Sequence, residues 1–162
     1  MPIVKQVKGN LVELFKEGSL GSLIVQGLNC KKVIEGELAE QLAEEFPQLV
    51  QVDNEFPLPA LYRLGDYSVC STEYGNILNF YTHLEPGGNF EYSALKVCLK
   101  KLSNEAIRSG SYIELAVPMF GANDSNVNWE IVKRILNFQE HLLITVVEHD
   151  KGQVRVGEGQ AD

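Results

Sequence analysis

Basic residues are absent from a long stretch of this chain, and glycine is scarce where a ligand loop would most need it. From residue 33 to residue 62 there are seven acidic side chains and no Lys or Arg. The formal net charge of −8 disfavours non-specific contact with nucleic acid or an anionic membrane, so neither is expected as a partner. Cysteine is sparse as well. Cys30, Cys70 and Cys98 are widely spaced and odd in number, with no Cys-x-x-Cys pair and no zinc set alongside His83, His141 and His149. Reduced thiols in a cytoplasmic protein are expected, with no metal and no cofactor. No apolar run approaches the roughly 18–20 residues of a membrane span. The first residues, Met1-Pro2-Ile3-Val4-Lys5, lack the apolar core of a signal peptide and read as the start of a strand.

A chain of 162 residues fits one domain. The pattern predicts strands over 3–7, 22–26, 67–71, 76–81, 112–117 and 142–148. A short helical turn is predicted over 12–15. A helix over 35–46 carries Leu38, Leu42 and Phe46 at i, i+4 and i+8, with Ala39 and Ala43 beside them, and Pro47 stops it. Residues 48–65, with Pro57 and Pro59, show no sustained period and are expected to be mostly loop. Further helices are expected over 91–108, with Leu95, Cys98, Leu99, Leu102 and Ala106 inward, and over 128–138. Strands alternating with helices predict an α/β fold, a three-layer α/β/α sandwich with a mixed central sheet. The domain should occupy 1–150, followed by a disordered tail over 151–162.

Two loops meet the rule that ligands of α/β proteins sit beyond the carboxyl ends of strands. They cover residues 29–37 and 118–127, and each precedes a helix. A loop that holds phosphate normally depends on glycine, so that backbone N–H groups approach the anion closely. The first loop has only Gly36, between Glu35 and Glu37. A carboxylate roughly 5 Å from a phosphate, at an effective dielectric near 20, costs about 3 kcal/mol, or some two decades in affinity. The glutamates therefore point to solvent, where the helix N-terminus favours their charge, or they oppose the ligand. Glu40, Glu44 and Glu45 read as a solvated helix face.

Gly9-Asn10-Leu11, Gln26-Gly27-Leu28-Asn29-Cys30, Tyr74 to His83, and Pro118-Met119-Phe120-Gly121-Ala122 with Asn128-Trp129 together resemble the macrodomain family of ADP-ribose-binding modules, over nearly the whole length to about Asp150. Gly9-Asn10-Leu11 is similar to the family's Gly-Asp-Leu after the first strand. Gln26-Gly27-Leu28-Asn29-Cys30 resembles the strand end that delivers an Asn to the distal ribose. Pro118-Met119-Phe120-Gly121-Ala122, followed by Asn128-Trp129, resembles the second phosphate loop and its helix. Tyr74 to His83 looks like the middle strand of the branch that holds small phage and bacterial macrodomains and the glutamate-linked ADP-ribose hydrolases.

The resemblance implies binding of ADP-ribose or a related nucleotide. Asn10 and Leu11 would hold the adenine, Asn29 the distal ribose, and Gly36 with the second loop the phosphates. Cys30, Val33 and Glu35 in the first loop, and Pro118, Phe120, Gly121, Ala122, Asn123 and Asn126 in the second, complete the implied binding set. The chain also departs from the family. Asn10 replaces its Asp, the run Glu35-Gly36-Glu37-Leu38-Ala39 replaces Gly-x-Gly-Ile-Ala, and 121–126 lacks a Gly-x-Gly pattern. In the hydrolase branch a Lys and an Asp do the chemistry; here their positions fall on His83 and on Ser125, beside Asp124. Three functions stay open. The chain binds an ADP-ribose-type small molecule or ADP-ribosylated protein, with removal of the ADP-ribose as a catalytic extension. It is instead a degenerate macrodomain that has lost ADP-ribose binding and serves as an interaction module, its acidic surface over 35–55 suiting a basic partner; a monomer is expected on any reading. Or it is a phosphatase for ADP-ribose 1″-phosphate. The direction of Glu35 and Glu37 discriminates between the first two.

Overall fold

Apolar residues alternate between the two faces of the strands, and that alternation builds the layers. The computed structural model describes residues 2–57, 59–121 and 126–150. The expected tail over 151–162 lies outside them. The chain forms β1 (Ile3–Gly9), α1 (Leu11–Glu17), β2 (Leu23–Asn29), α2 (Glu37–Glu45), α3 (Gln48–Glu55), α4 (Ala60–Arg63), β3 (Tyr67–Thr72), β4 (Gly75–His83), α5 (Tyr92–Ser109), β5 (Ile113–Pro118), α6 (Trp129–Asn137) and β6 (Leu142–His149). The strands make one six-stranded sheet in the order β1-β6-β5-β2-β4-β3. All neighbours are parallel except the hairpin of β3 with β4, so the sheet is mixed, as expected.

Ile24, Ile77 and Ala116 face one side, where they pack with Leu11, Val12 and Phe15 of α1, Leu42 of α2 and Leu49 of α3. Their neighbours Val25, Leu78, Leu115 and Val117 face the other side and meet Leu95, Leu99 and Leu102 of α5 and Val132 and Leu136 of α6. A sheet with both faces covered has nearly continuous apolar strands, which is why β2, β4 and β5 read so strongly.

The segment 48–65 corrects the loop expectation. Pro47 adopts φ −58° and ψ −26° and opens α3, so it both ends one helix and starts the next. Leu49 and Asp53, at i and i+4, are the buried face of α3. An acid on the inward face breaks the apolar period, and the period was the signal available. Asp53 is tolerated there because Arg63 meets it: both are 1% exposed, with Nη1 to Oδ1 at 3.5 Å. Arg63 Nη2 also donates to the carbonyls of Asp53 (3.2 Å) and Phe56 (2.9 Å), and the guanidinium lies 5.4 Å from the ring centroids of Phe56 and Tyr81.

Two boundaries move with consequence for function. β2 continues past the expected end at 26 to Asn29, paired with β4 as far as His83, which carries Gly27, Leu28 and Asn29 into the sheet. α2 begins at Glu37, because Gly36 takes φ +96°, a conformation that excludes it from the helix. Replacing Asp53 by Ala is expected to destabilise the protein by about 3–5 kcal/mol, since it leaves a buried guanidinium unpaired. Urea denaturation measures this, and a loss below about 1 kcal/mol would mean that Arg63 finds solvent.

Candidate functional site

Parallel strands that end together leave their loops around a common cleft, and here β2, β4, β5 and the N-terminus of α2 surround one of about 290 Å³. That is at the low end of the roughly 300–1,000 Å³ usual for small-molecule sites. Gly36, Leu38 and Ala39 of the α2 end form one wall. Thr82, His83, Phe90, Met119, Phe120 and Gly121 form the opposite wall, with Gln26 and Gly27 between. Leu11, Gln41, Val147 and His149 close one end.

Gly36 supplies no side-chain cap to α2, so the first-turn N–H groups of that helix stand at the cleft without one. Such a helix end favours an anion by hydrogen bonding and by dipole. The opposite wall is aromatic. Phe90 lies 5.6 Å from the His83 ring and 5.5 Å from the Phe120 ring, centroid to centroid. His83 Nδ1 is 3.1 Å from Thr82 Oγ1, which holds the imidazole against the wall. Close approach is enforced by glycine at two places. A Cβ on Gly27 would stand 2.7 Å from Thr82 Oγ1, and one on Gly121 (φ +92°) 2.7 Å from Val127 Cγ1.

The glutamates flanking Gly36 both reach the cleft edge, both are exposed, and neither fills it. Glu35 Oε2 accepts from the Gly87 N–H at 2.5 Å, while Glu37 Oε2 lies 3.7 Å from His149 Nε2. Lys31, 3.6 Å from Glu85, is drawn to the same 85–87 turn, and neither Lys31 nor Lys32 lines the cleft.

Of the residues singled out in the sequence, Leu11, Glu35, Gly36, His83, Pro118, Phe120 and Gly121 line the cleft. Asn10 caps α1: its Oδ1 accepts from Glu13 N–H (3.0 Å) and Gln41 Nε2 (3.2 Å), which uses both lone pairs. Asn29 braces its own loop, donating to the Val33 carbonyl (2.7 Å) and accepting from the Lys31 N–H (3.0 Å). Cys30 is buried, and burial pushes its thiol up against the pull of Arg63 and Lys31, so it is a neutral packing group. Val33 and Asn126 are exposed and stand off the cleft lining. Ala122, Asn123, Asp124 and Ser125 lie outside the described residues. Gln26, Thr82, Phe90 and His149 also line the cleft and were not among the candidate site residues. Gln26 alone left a signal, as a polar residue inside the apolar run from Leu23 to Leu28.

No family model matches the chain. A 17.5 kDa protein from the tk-vs intergenic region of Enterobacteria phage T4 is 35% identical over 156 residues, covering 90% of this chain and 96% of the phage protein. The chain belongs to the family of that phage protein. Among solved structures, the macrodomain of Mycobacterium tuberculosis DarG superposes with a TM-score of 0.66 at 20% identity, over 88% of this chain and 96% of its own. The macrodomain of Thermus aquaticus DarG gives 0.66 at 21% identity, over 90% and 97%. Thermosipho africanus DarTG, solved in complex with ADP-ribose, gives 0.64 at 15% identity, over 78% of this chain and 38% of its own. The chain thus has the macrodomain fold.

The tight turn at Gly121 yields a direct check. Gly121→Ala is expected to cost about 1–3 kcal/mol through overpacking against Val127, lowering Tm by roughly 2–12 °C. An unchanged thermal melt would mean the second loop has room to shift.

Proposed function

We propose that this protein binds ADP-ribose, free or attached to protein, in the cleft between α2 and the Phe90–Phe120 wall. The observation that carries the reading is the pairing of a helix N-terminus lacking a side-chain cap with an aromatic wall across one cleft. A nucleotide diphosphate needs both, donors for the phosphates and apolar faces for the sugar and base. The same fold in the Thermosipho protein was solved with ADP-ribose, which supports the choice of nucleotide. In this reading Gly36 and Gly121 bring backbone to the phosphates. Leu11 flanks the base, with Asn10 offering it Nδ2 rather than its occupied oxygen. Asn29, with Cys30 and Val33, shapes the loop that receives the distal ribose.

Glu35 and Glu37 lower the affinity without closing the cleft. Glu35 is held by the Gly87 N–H and Glu37 lies beside His149 at the cleft edge, and both are exposed and solvent-screened. Removal of ADP-ribose from a modified carboxylate is the catalytic extension, with His83 as proton-transfer group and Asp124 or Ser125 orienting water.

Calorimetric titration with ADP-ribose, with AMP as control, is expected to give a micromolar Kd, about −8 kcal/mol. No heat at millimolar ligand would turn the reading to an interaction module with an acidic face. Glu35→Gly combined with Glu37→Gly is expected to tighten ADP-ribose binding by about three- to tenfold, less than the unscreened charge arithmetic because both carboxylates are exposed. Unchanged or weaker binding would show that the glutamates support the site. If the protein releases ADP-ribose from a glutamate-linked substrate, His83→Ala should slow that release by about 10²–10⁴-fold. Retention of the full rate would remove His83 from the chemistry.

A further inference from the structure

The cleft floor holds a polar atom without a partner. Gln26 is 1% exposed and lines the cleft, and its carbonyl Oε1 accepts no hydrogen bond among the described residues. Orphaned buried acceptors are few in native proteins, and one on a residue that lines a cleft points to a ligand donor.

The orientation of that amide is fixed by a chain of bonds leading to a buried charge. Asp53, paired with Arg63, only accepts when ionised, so the Tyr81 hydroxyl must donate to it (2.8 Å). Tyr81 oxygen then accepts from Ser68 Oγ (2.9 Å), because its own proton is committed. Ser68 Oγ in turn accepts from Asn79 Nδ2 (3.1 Å), and Asn79 Oδ1 accepts from Gln26 Nε2 (2.8 Å). Turning the Gln26 amide over would set two carbonyl oxygens 2.8 Å apart. Turning Asn79 as well would set its oxygen against a Ser68 oxygen whose proton is already used. Burial and the neighbouring carboxylate push the Tyr81 hydroxyl upward, so it keeps its proton.

We propose that Gln26 is a specificity-determining residue of the cleft, its Oε1 accepting from an N–H or O–H of the bound nucleotide. Tyr81 and Asp53 are positioning residues that hold it in this sense. This deepens the ADP-ribose reading and rests on it. In ADP-ribose the donor is either the adenine amino group or a ribose hydroxyl.

The test titrates the wild type, Gln26→Met and Tyr81→Phe with three probes: ADP-ribose, its hypoxanthine counterpart with a carbonyl in place of the amino group, and its deoxyribose counterparts. Gln26→Met should bind ADP-ribose about tenfold more weakly. In the wild type, the counterpart that lacks the donor should lose about tenfold, and which one loses identifies the donor. Tyr81→Phe leaves Gln26 in place but frees Ser68 to turn, so that discrimination should shrink to about two- or threefold. A merely structural Tyr81 would lower stability without moving the ratio. Equal binding of all probes by the wild type and folded Gln26→Met would overturn the proposal.

Should the wild type bind no ADP-ribose, the proposed function fails on its own, and amide exchange by NMR decides the relay. A Gln26 side-chain N–H protected in the wild type and released in Tyr81→Phe would retain the directed acceptor for another donor-bearing ligand. Exchange at the rate of an exposed amide in the wild type would overturn it.

Discussion

The contact of Asp53 with Arg63 beneath Tyr81 is the constraint on which much of this architecture depends. Two charges removed from water carry a desolvation cost of several kcal/mol each unless geometry and further hydrogen bonds offset it. Here the offset is distributed. The guanidinium donates to two backbone carbonyls as well as the carboxylate, and it lies near two aromatic rings, while Tyr81 donates to the same carboxylate. Burial still raises the Asp53 carboxyl, with Tyr81 and Arg63 acting against it. The arrangement ties α3 and α4 to β4, alongside the apolar packing of Leu49, Phe56 and Leu64. Phe56 stacking on Tyr81 at 5.2 Å adds an apolar contact to the same junction.

From that junction a line of polar side chains crosses β3, β4 and β2 and ends in the cleft. Asn79 and Gln26 sit opposite each other in the parallel pairing of β2 with β4, which is why two amides meet inside an otherwise apolar layer. Buried amides in a sheet interior cost more than the apolar residues they replace unless every group is satisfied. Along this line the Gln26 carbonyl is the acceptor left without a partner among the described residues, and it belongs to a residue that lines the cleft. Core and cleft are thereby parts of one network, so a substitution at Tyr81 is expected to register in both.

The cleft itself balances opposing fields. The α2 dipole and the N–H groups of its first turn attract an anion, while two glutamates stand at the same helix end. Glu35 and Lys31 are both spent on the 85–87 turn, one by a hydrogen bond to Gly87 and one by its approach to Glu85. That turn is thereby fastened to the first loop, which ties the α2 side of the cleft to the segment leading into Phe90. Glutamate in this loop thus acts mechanically as well as electrostatically, a role that charge counting alone does not reveal.

Local pattern sufficed wherever the burial of an element was uniform. The apolar runs of β2, β4 and β5, the stripe of α5 and the loops that follow strands and precede helices were all legible, because periodicity and chain order are properties of neighbouring residues. The two loops that border the cleft followed from that order together with family resemblance. What the sequence could not determine was every feature made by residues distant in the chain. Asp53 reads as a solvated acid until Arg63 is brought over it, and α3 vanishes from the pattern for that reason. Glu35 has no visible direction until Gly87 arrives 52 positions later to receive it. Gln26 looks like a stray polar residue until the sheet register sets it against Asn79. The sequence by itself determined the layers and the place of the cleft, since those depend on local period. Only the tertiary structure decided which polar atoms face the ligand, because a hydrogen bond's direction is set by a partner that folding alone supplies.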